Sequence, residues 1–215
     1  MDYEYKIDVA GVEYFQENGS LISGSMHQSM FDKFGIGNAC VSYLTVSFYP
    51  SEEPPRMAPI AVFARAIGDV EWTQLGKFYT DARNSEILEG GRVLTLTAYD
   101  AMLKSDQIYI ADEDESDWPK TMPDVVSEIA LRMEVELDPR TVLNASYFVD
   151  YPNDYTMREI LCHIAAAHAG NWIITREEKL LLIPVFSSVP VGRDSILATE
   201  NEEAIIFGGN VSILV

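Results

Sequence analysis

The sequence predicts an α+β protein: a β-rich, barrel-like first half followed by a small α/β unit. Three observations carry this. Up to about residue 110, apolar and polar residues alternate at the period of two that half-buried strands require. An acidic run then extends from Asp112 to Asp117, and behind it the apolar spacing shifts to the 3.6-residue period of helices. The expected organisation is therefore a β-rich domain, barrel or sandwich, at 1–111 and a small α/β domain with two helices and a hairpin at 112–185. Returning strands are expected over 186–215.

Each element has a local reason. Tyr5, Ile7 and Val9 alternate with polar residues, Ala10-Gly11 offers a turn, and Val12 and Tyr14 resume the pattern, which makes a hairpin. Leu44, Val46 and Phe48 share one strand face, while Tyr43, Thr45 and Ser47 take the other. Pro50, Pro54, Pro55 and Pro59, with Ser51, Glu52 and Glu53 among them, mark an exposed connection before a strand from Ile60 to Ala66. Lys77–Arg83 and Arg92–Tyr99 read as antiparallel partners joined through Glu89-Gly90-Gly91, with Leu94, Leu96 and Ala98 on one face and Thr95 and Thr97 on the other. Short strands, frequent turn signals and little helix indicate a barrel or a sandwich.

Beyond Ala111, Thr121 can cap a helix with Asp124 three residues on, and Val125, Val126, Ile129, Ala130 and Met133 form its apolar stripe. Asp138-Pro139 is expected to end it. A second helix starts at Thr156, with Glu159 completing a capping box and Tyr155 against Ile160 as a hydrophobic staple; it should run to Ala169 and stop at Gly170. Trp172–Thr175 and Leu180–Val185 read as a hairpin across Arg176-Glu177-Glu178-Lys179, and Ile205-Ile206-Phe207 and Val211–Val215 as further strand.

A chain of 215 residues with 47% apolar and 23% charged residues can bury a real core, in one large or two small domains. Its 34 acidic residues against 15 basic ones give a net charge of -19. Such a surface repels phosphate, so a sequence-reading or duplex-gripping role is disfavoured. The charged start, Met1 to Lys6, lacks the pattern of a secretory signal, and no apolar run is long enough for a bilayer, so neither export nor membrane insertion is expected. Cys40 and Cys162 lie far apart outside any CxxC pattern and read as small core residues.

His163 and His168 are five apart on one helix, roughly 140° around its axis, where a zinc pair needs a spacing of four. His27 has no companion motif. Asp112, Asp114 and Ser116 imitate the opening of a calcium loop, but Asp117 replaces the glycine at the sixth position and Pro123 the glutamate at the twelfth. No Gly-x-Ser-x-Gly elbow and no Gly-rich phosphate loop occurs, and Cys162 and His163, as helical neighbours, point about 100° apart. Trp72, Trp118 and Trp172 are scattered in sequence, and carboxylate pairs are uninformative in so acidic a chain. No catalytic, cofactor-binding or metal-ligating residue is assigned, and no cofactor is expected.

Four segments, in this order, carry a resemblance: Phe34-Gly35-Ile36-Gly37-Asn38-Ala39-Cys40 before a strand; Leu75-Gly76-Lys77-Phe78-Tyr79-Thr80-Asp81; Leu94 to Leu103; and Tyr155-Thr156-Met157-Arg158-Glu159-Ile160-Leu161 with Ile164-Ala165 and Gly170 behind it. Together they span most of residues 1–185, and in order and spacing the chain resembles the phage and prophage tail hub family. That family comprises the baseplate hub of contractile phages and the amino-terminal hub of siphophage tail-associated proteins. The resemblance implies a tail-tube hub barrel followed by a small α/β domain, in a structural protein that is not an enzyme. It further implies a homotrimeric ring in the virion at the distal end of the tail tube, synthesised in the bacterial cytoplasm and connecting tube to tip or spike. Implied partners are the tube or distal tail ring, the tip or spike and the tape measure protein, with no sequence-specific nucleic acid and no membrane. The hairpin after Trp172 departs from the family in carrying Glu177-Glu178-Lys179 where a Gly-Lys turn is expected.

The resemblance has a physical counterpart: a ring buries strand edges against neighbouring copies, and Gly35, Gly37 and Gly76 permit the bends a curved wall needs. Taken locally, the same glycines equally suit turns of a monomeric sandwich. The acidity serves either solubility or a surface that DNA slides past without sticking. Two other classes stay open at this point, a tail-tip carbohydrate-binding or cell-wall-degrading module and an acidic decoy that imitates DNA.

Overall fold

The computed structural model describes residues 2–28, 35–88, 90–109 and 115–185, together with the backbone of two short strands at 196–198 and 204–206. The chain opens with a hairpin, β1 (Tyr3–Val9) and β2 (Val12–Phe15). Its two turn residues, Ala10 (φ +53°) and Gly11 (φ +92°), are both left-handed, which matches the right-handed twist of the strands they join. There follow β3 (Leu21–His27), β4 (Asn38–Ala39), β5 (Tyr43–Phe48), β6 (Pro59–Ala66), β7 (Thr73–Leu88) and β8 (Gly91–Tyr99). Seven of these eight, all but β4, form one antiparallel sheet in the order β2-β1-β6-β7-β8-β5-β3.

This corrects the expected barrel. Among the described residues no ladder joins β2 to β3, so the sheet is open. It is nonetheless curled. Laid flat, seven strands place the outer two about 29 Å apart, yet only residues 16–20 connect β2 to β3, and so short a link reaches about 20 Å. The first and last strands must bend toward each other at that end. Ser20 fixes the bend: its hydroxyl bonds both the N–H and the C=O of Phe15, and its own carbonyl accepts the Tyr49 N–H.

The concave face is packed solid by Ile7, Val9, Tyr14, Leu44, Val46, Phe48, Ile60, Val62, Phe78, Leu94 and Leu96. The alternation in β5 and β8 has the expected sense, with Thr45, Ser47, Thr95 and Thr97 on the other side and half-buried. A bulge between Thr80 and Ala82 interrupts β7. Past it the β7–β8 ribbon leaves the sheet, and Asp81 to Leu88 are all exposed.

After β8 comes a 3-10 segment, Ala101–Asp106, and after a second short one β9 (Lys120–Thr121), α1 (Met122–Arg132), β10 (Glu136–Leu137), β11 (Phe148–Val149), α2 (Met157–Ala167), β12 (Gly170–Ile174) and β13 (Lys179–Pro184). A four-stranded mixed sheet runs β10-β13-β12-β4, and the helices pack with it around a second core. β4 joins through a long-range parallel pairing, Asn38 with Asn171 and Ala39 with Trp172. The partner of packing changes before residue 111: Ala98 belongs to the first core, whereas Ala39, Ala101, Met102 and Tyr109 belong to the second. β14 (Ile196–Ala198) and β15 (Ala204–Ile206) pair antiparallel, while Phe34, Glu89, Phe207 and the expected strand Val211–Val215 lie outside the described residues.

Both helix starts stand as expected. Thr121 accepts the Asp124 N–H, and Thr156 and Glu159 form the reciprocal capping box. Both ends differ. Helix α1 stops at Arg132, because Glu134 turns left-handed (φ +58°) and the Val135 N–H returns to the Ala130 carbonyl, which frees Glu136–Leu137 to pair with β13. Helix α2 stops at Ala167, with Ala169 the left-handed residue (φ +49°). Gly170 instead opens β12, at a point where a Cβ would lie 2.6 Å from the Ile183 carbonyl oxygen. Tyr155 is half exposed with its ring edge-on to His163, 5.5 Å between centroids, while Ile160, its expected staple partner, is buried in the second core.

Gly37 is the tightest point of the crossover into β4. Its φ is +83°, its N–H bonds the Gly170 carbonyl, and a Cβ would lie 2.9 Å from the Ala166 methyl. Gly37→Ala should therefore cost about 2–4 kcal/mol in urea unfolding, from left-handed strain plus overpacking. Gly24→Ala, whose new methyl meets only Val46 at 3.6 Å, should cost less than about 1 kcal/mol. Equal losses would contradict this account of the crossover.

Candidate assembly interface

The polar group that positions the two layers is Asp100, at the exit from β8. Its backbone N–H donates to the Ser42 carbonyl at 3.0 Å. Its carboxylate accepts the Ser42 N–H at 2.8 Å through Oδ2 and the Met102 N–H at 3.0 Å through Oδ1, capping the 3-10 segment. Only 3% of Asp100 is exposed. Burial raises its pKa to about 6, although its bonds from Ser42 and Met102 and the charge of Arg158 oppose the rise. A second buried polar group, Asn171, fixes β4: its Oδ1 accepts the Asn38 N–H at 2.9 Å and its Nδ2 donates to the Gly35 carbonyl at 2.9 Å.

The surfaces available for contact are set by the edges. β3 ends one side of the seven-stranded sheet, and Ile22 to Ser25 are exposed along it. From Leu21 to Met26 it carries no charge and no proline, in a chain of which 23% is charged. Edges that stay in water are usually blunted by such residues, and here the only irregularity is a register shift between Leu21 and Ser23. The opposite edge, β2, is short and carries Glu13, ion-paired to Lys6 at 2.5 Å. The β7–β8 ribbon adds a third surface: Ile87 is 88% and Leu88 52% exposed at its end, while Arg83 and Arg92 both pair with Glu53.

The architecture recurs in solved structures. A tail protein from Neisseria meningitidis superposes with a TM-score of 0.63 at 13% identity, over 89% of this chain and 53% of its own. The 43 kDa tail protein of prophage MuSo2 from Shewanella oneidensis gives 0.57 at 12%, over 89% and 58%. A Francisella PdpA–VgrG complex gives 0.51 at 10%, over 85% and 31%. The chain has the fold of phage tail proteins. It spans about half the length of the two tail proteins and less of the third structure. No family model matches the sequence, and no curated protein matches it either.

Within this tail-protein fold the four sequence segments take distinct places. Gly35–Cys40 is the crossover through β4, Leu75–Asp81 the sheet-bound half of β7, Leu94–Leu103 the passage from β8 into the 3-10 segment, and Tyr155–Leu161 the start of α2. The residues weighed for chemistry do not converge. His168 accepts the Asn144 N–H at 2.9 Å, His163 meets Tyr155, and His27 stacks on Tyr43. Cys40 is buried, and burial pushes the Cys162 thiol up. Trp172 is wholly buried with its Nε1 donating to the Leu161 carbonyl, Trp118 sits edge-on to Tyr109 and Tyr151, and Trp72 lies under Arg65. No three His, Cys, Asp or Glu side chains cluster as metal ligands among the described residues, and Asp112 and Asp114 lie outside them. Asp100 and Asn171 went unnoticed in the sequence. A lone Asp directly after an apolar strand was the only trace of the first, and the second left none.

Because Asp100 takes up its proton more readily folded than unfolded, its contribution to stability is full below its unfolded pKa and is lost as pH rises through about 6. Asp100→Asn carries no titrating group. Relative to the native chain it should be about 2 kcal/mol more favourable at pH 7 than at pH 4 in urea unfolding, and a difference that does not change with pH would refute this. Asp100→Ala, which strands two buried N–H donors, should lose about 2–4 kcal/mol at pH 4 and, having no titrating group either, about 2 kcal/mol less at pH 7.

Proposed function

We propose that this chain is a structural subunit of a phage or prophage tail hub, part of a homotrimeric ring at the distal end of the tail tube that connects tube to tip or spike. The observation that carries the reading is a curled sheet with an uncharged open edge, β3, within a tail-protein fold. The seven-stranded sheet supplies the wall, residues 112–185 together with β4 and the 3-10 segment a small α/β unit on it, and 186–215 the start of a further barrel portion. The protein acts in the virion through contacts with the tube or distal tail ring, the tip or spike and the tape measure protein, and it performs no catalysis of its own.

Physical reasons support the ring. Interior side chains fill the curl, so a passage for DNA runs between copies and is bounded by the outward faces of their sheets. A heterologous contact, one surface on another, closes into a ring when the rotation permits, and an open edge gives such a contact directional backbone hydrogen bonds. A net charge of -19 keeps the DNA backbone from adhering as it passes.

Sedimentation of the full chain should resolve a three-copy species. Placing charge on the edge, with Ser23→Lys and Ser25→Lys together, should dissociate it while shifting the melting temperature of the monomer by no more than about 2 °C. A native chain that stays monomeric at its highest soluble concentration overturns the ring.

A further inference from the structure

Tyr79 projects from the sheet-bound half of β7 on the face away from the first core, and its ring packs against the second core instead. Three side chains meet it, Glu178, Lys77 and Lys104. Its hydroxyl donates to Glu178 Oε1, and the other oxygen of the same carboxylate receives Lys77 Nζ at 2.6 Å. Lys104 Nζ stands 4.4 Å above the ring and is held by Glu134 Oε2 at 3.0 Å. Five residues earlier on the same strand, Gln74 Nε2 donates to the Arg176 carbonyl at 3.1 Å. Burial, and then Glu178, push the phenol pKa above its usual range, so the hydroxyl stays a donor.

The backbone at the two glutamates is the unusual part. Glu178 (φ +62°) is the left-handed residue of the β12–β13 turn, and Glu134 (φ +58°) is the left-handed residue that ends α1. Glycine would take both positions free of strain, and a side chain there costs about 1 kcal/mol. These turns are separate in sequence and belong to different elements of the second layer, yet both deliver a carboxylate to the surroundings of one tyrosine on the first sheet. A turn built only to reverse the chain has no use for that.

We propose that Tyr79 is the socket that fixes the angle of the second layer on the sheet, with Glu178 and Glu134 as positioning residues acting through Tyr79, Lys77 and Lys104. The layers already meet where β4 crosses to β12 and where the chain leaves β8 beside Asp100; the Tyr79 contacts add a separate point of attachment on the half of β7 that precedes the bulge. The inference concerns this chain's own geometry and holds whatever ring it enters.

The test uses the full chain with Glu178→Ala or Tyr79→Phe and measures acetylation of each lysine by acetic anhydride. Lys104 is 15% exposed at the socket, and Lys120, 19% exposed beside Glu128, serves as the internal reference. Loss of one charge-assisted hydrogen bond is worth about a factor of ten in the open population, so the Lys104 rate should rise about tenfold relative to Lys120 in either variant, with amide protection in α2 unchanged. An unchanged ratio in both variants overturns the proposal. So does a parallel rise at Lys120 with loss of α2 protection, since the contacts would then hold the layer's own fold together. Tyr79→Phe keeps the ring and its packing, and it decides the matter if Glu178→Ala does not fold.

Discussion

The structure depends on a crossing point sealed by one buried carboxylate. β5 and β8 are neighbours in the first sheet, and the chain on the β5 side and the chain leaving β8 both lead into the second layer, through β4 and through the 3-10 segment. Asp100 binds the N–H groups of Ser42 and Met102 together, so neither strand can shift along the other without stranding buried donors. Each stranded donor costs about 1–3 kcal/mol. That is large beside the 5–15 kcal/mol by which a whole domain is usually stable. The carboxylate is itself expensive to bury, which is why its pKa is raised; the two N–H bonds are what the fold gains in return.

From that crossing the two layers are interlocked rather than strung in sequence. β4 lies early in the chain yet forms an edge strand of the second sheet, pinned by Asn171, while Ala101 and Met102 fill the second core. Tyr79 reaches the same core from the middle of β7. The second layer therefore sits on the half of β7 that precedes the bulge, and among the described residues nothing pairs with the outer edge of β3, while the ribbon beyond the bulge is exposed. In the proposed ring these are the surfaces that meet neighbours, and the filled interior of each curl makes every subunit a solid piece of wall.

Much of this was legible in advance. Alternation placed Leu44, Val46, Phe48, Leu94 and Leu96 in the first core, and the helical stripe from Val125 to Met133 placed that face in the second. The hairpin at Ala10-Gly11 and the capping box at Thr156 and Glu159 were local signals and were read correctly. The helix ends carry no such local signal, because Glu134 and Ala169, neither glycine nor proline, take the left-handed backbone that terminates them. The tail-hub resemblance and the observed tail-protein fold point the same way, although the barrel expected from it is an open curled sheet.

The sequence by itself determined the alternation in the first hairpin, β5 and β8, the buried stripe of α1, both helix starts and the absence of any recognisable metal or phosphate motif, because all of these depend on residues a few positions apart; β3, β9, β10 and β11 carried no such signal. Only the tertiary structure decided which edges stay open, that β4 leaves its neighbours to pair with β12, and that Asp100, Asn171 and Tyr79 join the layers. Those features arise between residues as far apart as Asn38 and Asn171. Side-chain periodicity states which way a residue points and carries no record of what it will meet.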